Sequence, residues 1–168
     1  MTSLAEAAAQ ANDLAERGAE RELADLRARW AEDIEHSARS SSYQERAVAY
    51  RAIGQFRFRQ KLELLRRGLE DESPACRGSA LLSLELLSRD GPAPVNAVRS
   101  ILHTLVNSDP NEAVRRLAAL CLANGSPHRD TITLLSGLGD DDDQGRELRA
   151  TAKRVANQLR RKAGPARF

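Results

Sequence analysis

The sequence predicts an all-α chain in which a long N-terminal helix leads into about four helical pairs. Alanine and leucine dominate the apolar residues, and aromatics make up only 4% of the chain, a palette that favours helix over strand. Apolar residues recur at spacings of three and four in one segment after another. A third observation is the strongest. The stretch "SDPNEAVRRLAALCLANG", residues 108–125, joins a turn rich in Asp, Pro and Asn to a Val-Arg pair and a compact apolar helix, and it has counterparts elsewhere.

A chain of 168 residues with 41% hydrophobic and 30% charged residues has the balance of a globular protein, not of a disordered one. No apolar run approaches the roughly 18 residues that a membrane helix needs. The opening "MTSLAEAAAQAND" lacks the basic region and apolar core of a signal peptide. The expected setting is therefore the cytoplasm, with no membrane association. Cys76 and Cys121 fall within helical apolar patterns and are expected to be reduced, small core residues.

Residues 1–42 form the first segment, a helix and a hinge. The stretch from 4 to about 37 has no internal proline and reads as helix throughout. Leu23, Leu26, Trp30 and Ile34 share one stripe, which predicts packing on the first repeat as a cap. Residues 4–19 offer mostly alanine at the matching positions, so they bury little area and are expected to fray, association with another helix being the alternative. "SARSSS", residues 37–42, is a loop.

The repeats occupy residues 43–162. Asp109, Val114, Arg115, Ala118 and Leu122 define the clearest copy. The same offsets hold for Asp71, Cys76, Arg77, Ala80 and Leu84, and again for Asp143, Leu148, Arg149, Ala152 and Ala156. The first copy, Arg46, Ala49 and Ile53, has Ser40 in the Asp position and Glu45 in the apolar one. The anchors Arg46, Arg77, Arg115 and Arg149 are 31, 38 and 34 residues apart. Asp, Asn or Ser before each helix can cap its orphan amides, and Pro74 suits a first helical position. The Ala three residues after each Arg lets a neighbouring helix approach closely. Another amphipathic segment precedes each later turn: "FRQKLELLRRGL", "PVNAVRSILHTLV" and "RDTITLLSGL". Residues 163–168 follow as a disordered tail.

The unit, a helix pair carrying D-x4-[V/L/C]-R-x2-A, resembles the HEAT repeat, in particular the short HEAT-like repeats of the phycobilin-lyase type. The resemblance covers about residues 43 to 162 and implies an α-solenoid. It implies little about function, because such solenoids serve many ends. A lyase or chaperone for a bound cofactor is one reading that it suggests. HEAT-like hydroxylases bind iron through repeated His-Glu pairs; here Glu35-His36 has the reverse order, occurs once and lies outside the repeats. HEAT-like alkylpurine glycosylases use aromatic and acidic residues on the concave face, whereas this chain has a single Trp, outside the repeats, and few aromatics elsewhere, which speaks against a base-excising enzyme.

Other chemistry is thin. His103 sits between apolar pairs and His128 lies near a helix start, so neither predicts a metal site. "GDDDDQG", residues 139–145, does not alternate its ligands as a calcium loop does, and position 12 from Asp140 is Thr151. Capping of the next helix is set beside a weak cation site. No Gly-x-Ser-x-Gly elbow or phosphate-binding glycine loop is present. No cofactor and no catalytic residue are expected.

Charge is unevenly spread behind a net +2. Residues 1–37 carry four arginines against nine acids, and 38–69 carry eight basic residues against two acidic. Residues 146–168 carry eight basic residues against one acid. The expected function is a non-enzymatic protein interaction module, an adaptor or scaffold, whose partner subunit or peptide could be acidic. Its candidate contacts are Arg46, Arg77, Arg115, Arg116, Arg149, Lys153 and Arg154. For the four anchors, a structural ladder to turn aspartates and carbonyls stands beside the binding role. Arg116 does not recur at its offset. The alternative function is nucleic-acid binding through the basic blocks at 46–67 and 146–162.

Overall fold

The computed structural model describes residues 1–164, which form ten α-helices and no strand. They divide into two compact units, one ending at Leu87 and the other beginning at Ser88. The first contains α1 (Leu4–Glu16), α2 (Glu20–Ala38), α3 (Tyr43–Gln55), a 3-10 turn (Arg59–Lys61), α4 (Leu62–Leu69) and α5 (Pro74–Leu87). The second contains α6 (Ala93–Ala97), α7 (Arg99–Ser108), α8 (Glu112–Leu122), α9 (Arg129–Asp140) and α10 (Arg146–Ala163). Most of the tail expected at 163–168 lies outside the described residues, while Ala163 closes α10.

The single N-terminal helix expected over residues 4–37 is two helices. The chain turns at Gly18, whose φ of 71° lies in the left-handed region that glycine enters without a Cβ penalty. The Ala19 N–H donates to the Leu14 carbonyl and the Gly18 N–H to that of Ala15, the bond pair that closes a Schellman motif. Ser3 caps the start of α1 by accepting from the Glu6 N–H. The expected fraying is also corrected. Ala7, Ala8 and Ala11 are at most 1% exposed, and α1 packs against both α2 and α3. Little area is buried per alanine, but methyl-sized side chains let three helices approach closely enough for the short segment to hold. On α2, Leu23, Leu26 and Ile34 are buried and Trp30 is half-buried, in line with the stripe.

Every anchor arginine lies in the second helix of a packed pair: α2 with α3, α4 with α5, α7 with α8 and α9 with α10. Within the first unit α3 also packs on α5; within the second, α8 packs on α10 and α7 on α9. The stripe explains these contacts. Ala49, Ala80, Ala118 and Ala152 have no exposed surface, and Ile53, Leu84, Leu122 and Ala156 are at most 1% exposed. One expected first helix is interrupted: "PVNAVRSILHTLV" breaks at Val98, where φ is −120°, into α6 and α7.

The α3–α5 crossing is closer than leucine packing allows. A Cβ on Gly54 would lie 2.5 Å from the Ser83 Cα. Ser83 is fully buried, and its hydroxyl accepts from the Gly54 N–H at 2.9 Å while lying within hydrogen-bond reach of the Tyr50 and Arg51 carbonyls. A serine of one helix thus enters the backbone ladder of its neighbour. Gly54→Ala gains helix propensity but must push the two backbones apart. The net expected loss is about 1–2 kcal/mol in urea unfolding, with an unchanged m-value.

Candidate functional site

The turn inside each pair carries a side-chain oxygen that accepts an N–H two residues on. Ser40 accepts from Ser42 at 3.0 Å, Asp71 from Ser73 at 2.9 Å, Asp109 from Asn111 at 2.9 Å and Asp141 from Asp143 at 3.0 Å. The fourth assignment corrects the sequence alignment, which placed Asp143 in this role. That turn holds two extra residues before the Gly145 cap, and the job falls to Asp141.

The anchor arginines reach back to the same turns. The Arg46 Nη1 donates to the Ser40 and Ser41 carbonyls, and the Arg77 Nη1 to those of Asp71 and Glu72. The Arg115 Nε donates to the Val106 carbonyl at 2.7 Å, in the last turn of α7. Arg149 donates from Nη2 to Asp142 at 3.0 Å, with its Nε 3.4 Å from the Gly139 carbonyl. A helix end leaves carbonyls without partners, and a guanidinium from the next helix supplies several donors at once. All four anchors therefore have the ladder's structural bonds.

The Arg46 rung connects two pairs. The Arg46 guanidinium holds the Asp71 carboxylate in a fork, with Nε and Nη2 at 2.9 and 3.1 Å from its two oxygens, and the two side chains are 14% and 8% exposed. Burial pushes the Asp71 carboxyl up, but the Arg46 fork and the Ser73 amide outweigh it and hold it below the ordinary value. The same fork raises Arg46 above its usual value. Next to it, burial pushes the Cys76 thiol up, and its Sγ lies 3.3 Å from the Tyr43 carbonyl.

Much of the first basic block is used internally. Arg57 donates to Asn12 and to the Gly54 carbonyl, Arg59 to the Leu87 carbonyl, and Lys61 meets Glu35 at 2.7 Å while lying over the Phe58 ring. Arg66 and Arg67 are exposed in the last turn of α4, where cations complement the helix dipole.

α10 is different. Leu148, Thr151, Ala152, Val155, Ala156 and Leu159 bury one face, and Lys153, Arg154, Asn157, Arg160 and Arg161 occupy exposed positions. The Lys153 stem runs along Gly139, where a Cβ would sit 2.5 Å from its Cγ. Glu147, the single acid of this helix, is taken by Arg116 of α8, a pair that is 41% and 77% exposed and worth no more than about 1 kcal/mol. Arg160 is braced by Asn157 at 3.1 Å and by the Ser136 hydroxyl, and Lys162 caps the end of α8 through the Ala123 and Gly125 carbonyls. Arg154, Asn157, Arg160 and Arg161 line an open depression of about 530 Å³. Sequence reasoning named Lys153 and Arg154 but missed Asn157; the seven-residue step from Arg154 to Arg161 was the available signal.

Elsewhere, His103 lies 2.8 Å from the Thr131 hydroxyl, with burial and then nearby Arg99 lowering its pKa, and His128 accepts the Asp130 N–H. Among the described residues no group of three or more His, Cys, Asp or Glu is placed to hold a metal ion, and no helix is long and apolar enough to cross a membrane. No protein-family model and no curated protein matches the chain.

The Asp71 geometry fixes a pH dependence. A carboxyl lowered in the folded state adds stability above its unfolded value, about 4, and loses it as pH falls through the folded value. Asp71→Asn should cost about 1.5–3 kcal/mol at neutral pH, and the gap to the parent should close as unfolding is measured at progressively lower pH below about 4.

Proposed function

We propose that the chain is a non-enzymatic interaction module, a HEAT-like α-solenoid of four helical pairs that holds an acidic protein segment on the exposed face of α10. The observation that carries this reading is the separation of cation roles. The anchors Arg46, Arg77, Arg115 and Arg149 bond turns and helix ends, and Arg116 bonds Glu147. Lys153 and Arg154 are exposed on a helix whose one carboxylate is already engaged. In this reading the anchors hold the helices in place and the α10 residues make the contacts.

A regular helix with a buried face from Leu148 to Leu159 presents these charges on a fixed track, which reduces the ordering cost of binding. Attraction at an exposed face is screened by salt and acts mainly on encounter and specificity. We place this role in the cytoplasm, where the buried thiols of Cys76 and Cys121 stay reduced.

The test is fluorescence anisotropy of a labelled Asp- and Glu-rich peptide at low ionic strength. Lys153→Glu with Arg154→Glu should weaken binding about tenfold or more while leaving the helical circular dichroism unchanged. Equal affinity of the variant and the parent would sink the reading. Tighter binding of duplex DNA than of the peptide would replace it with nucleic-acid recognition.

A further inference from the structure

We infer that the depression at the C-terminal half of α10 is a subsite for a phosphoryl group carried by the bound protein segment; this rests on the reading of the α10 face as the segment's docking surface. Among the described residues its lining is Arg154, Asn157, Arg160 and Arg161, three arginines and one amide. Arginine presents a planar fork of donors that fits phosphoryl oxygens in pairs, whereas lysine acts as a point charge.

Two of these side chains are already braced. The Asn157 Oδ1 accepts from the Arg160 Nη1 at 3.1 Å, which leaves the Asn157 amide as a donor. The Arg160 Nη2 bonds the Ser136 hydroxyl, so the guanidinium is held between two helices before any ligand arrives. Arg154 and Arg161 are exposed seven residues apart, two turns along the same side of the helix. The helix dipole accounts for cations in the last turn of α10, where Arg160, Arg161 and Lys162 lie, but not for Arg154, well before that turn.

The guanidiniums of Arg154, Arg160 and Arg161 bring like charge to one depression, and the single acid of α10, Glu147, is committed to Arg116 instead of offsetting their repulsion. A phosphoryl group of nearly two negative charges and three acceptor oxygens offsets this repulsion better than a single carboxylate does. An open depression of about 530 Å³ leaves room for the group together with the chain that carries it.

The experiment compares three labelled probes by anisotropy: a short Asp-rich peptide with one phosphoserine, the same peptide with serine, and a single-stranded oligonucleotide of matched charge. The phosphopeptide should bind about tenfold more tightly than its serine form. Arg154→Gln with Arg161→Gln, both at exposed positions, should abolish that difference while preserving the circular dichroism. Inorganic phosphate should compete, and chloride at matched ionic strength should not. Equal affinity for the two peptides overturns the subsite and leaves the carboxylate reading standing. Failure of both peptides to bind overturns the subsite together with the reading beneath it. Preference for the oligonucleotide overturns it by assigning the phosphoryl group to nucleic acid.

Discussion

Where a helix stops inside a pair, its last carbonyls have no helical partner, and the next helix begins only a few residues later. The anchor arginine resolves this geometry. It sits one turn into the second helix and reaches back across the turn, to Ser40 and Ser41, to Asp71 and Glu72, to Val106, or to Asp142. An Asx- or Ser-type bond on the other side of each turn satisfies the incoming amides. Two polar devices, neither of which needs a large core residue, therefore set the angle at which the second helix leaves. Once that is set, the alanine three residues after each arginine must face the neighbouring helix, and all four such alanines are fully buried.

A chain with 4% aromatics has to reach core density by proximity instead of by bulk. The Gly54–Ser83 crossing shows how far this goes, with a hydroxyl bonded into a neighbouring helix where a side chain would otherwise pack. α1 makes the same point with alanine, whose small buried area is matched by contacts to two helices at once. Close packing of small groups tolerates neither added atoms nor unpaired polar ones, so specificity here resides in a few short contacts.

The recurring features were legible in the sequence because they are local. Anchor arginine and buried alanine keep fixed offsets in all four copies and the turn acid does so at Asp71 and Asp109, and the pairs α4/α5, α7/α8 and α9/α10 follow from this pattern. Features that depend on a single backbone conformation were not. Gly18 is the residue type that ends helices, but the helix-favouring pattern runs on past it and the turn rests on its left-handed φ, while Val98 breaks a pattern whose apolar period runs on unbroken. Asp143 matched the spacing, but the longer fourth turn moved its role to Asp141, a choice that spacing does not make within a run of four aspartates. Of the candidate contacts, Lys153 and Arg154 were visible as charge on a helix. Arg46 and Arg116 are engaged by partners distant in sequence, Asp71 and Glu147, which spacing does not reveal, while Arg77, Arg115 and Arg149 reach the turn a few residues before them.

The central claim is that the recurring arginine exists to hold turns and neighbouring pairs together, with Arg46 and Asp71 as its clearest case. A double-mutant cycle on urea unfolding, using Arg46→Ala, Asp71→Ala and the double variant, tests it most directly. The claim predicts strong coupling, the double variant losing much less stability than the two single losses combined, because either substitution alone already breaks the fork. Simple additivity of the two losses would contradict it and return the anchor arginines to the protein surface as independent charges.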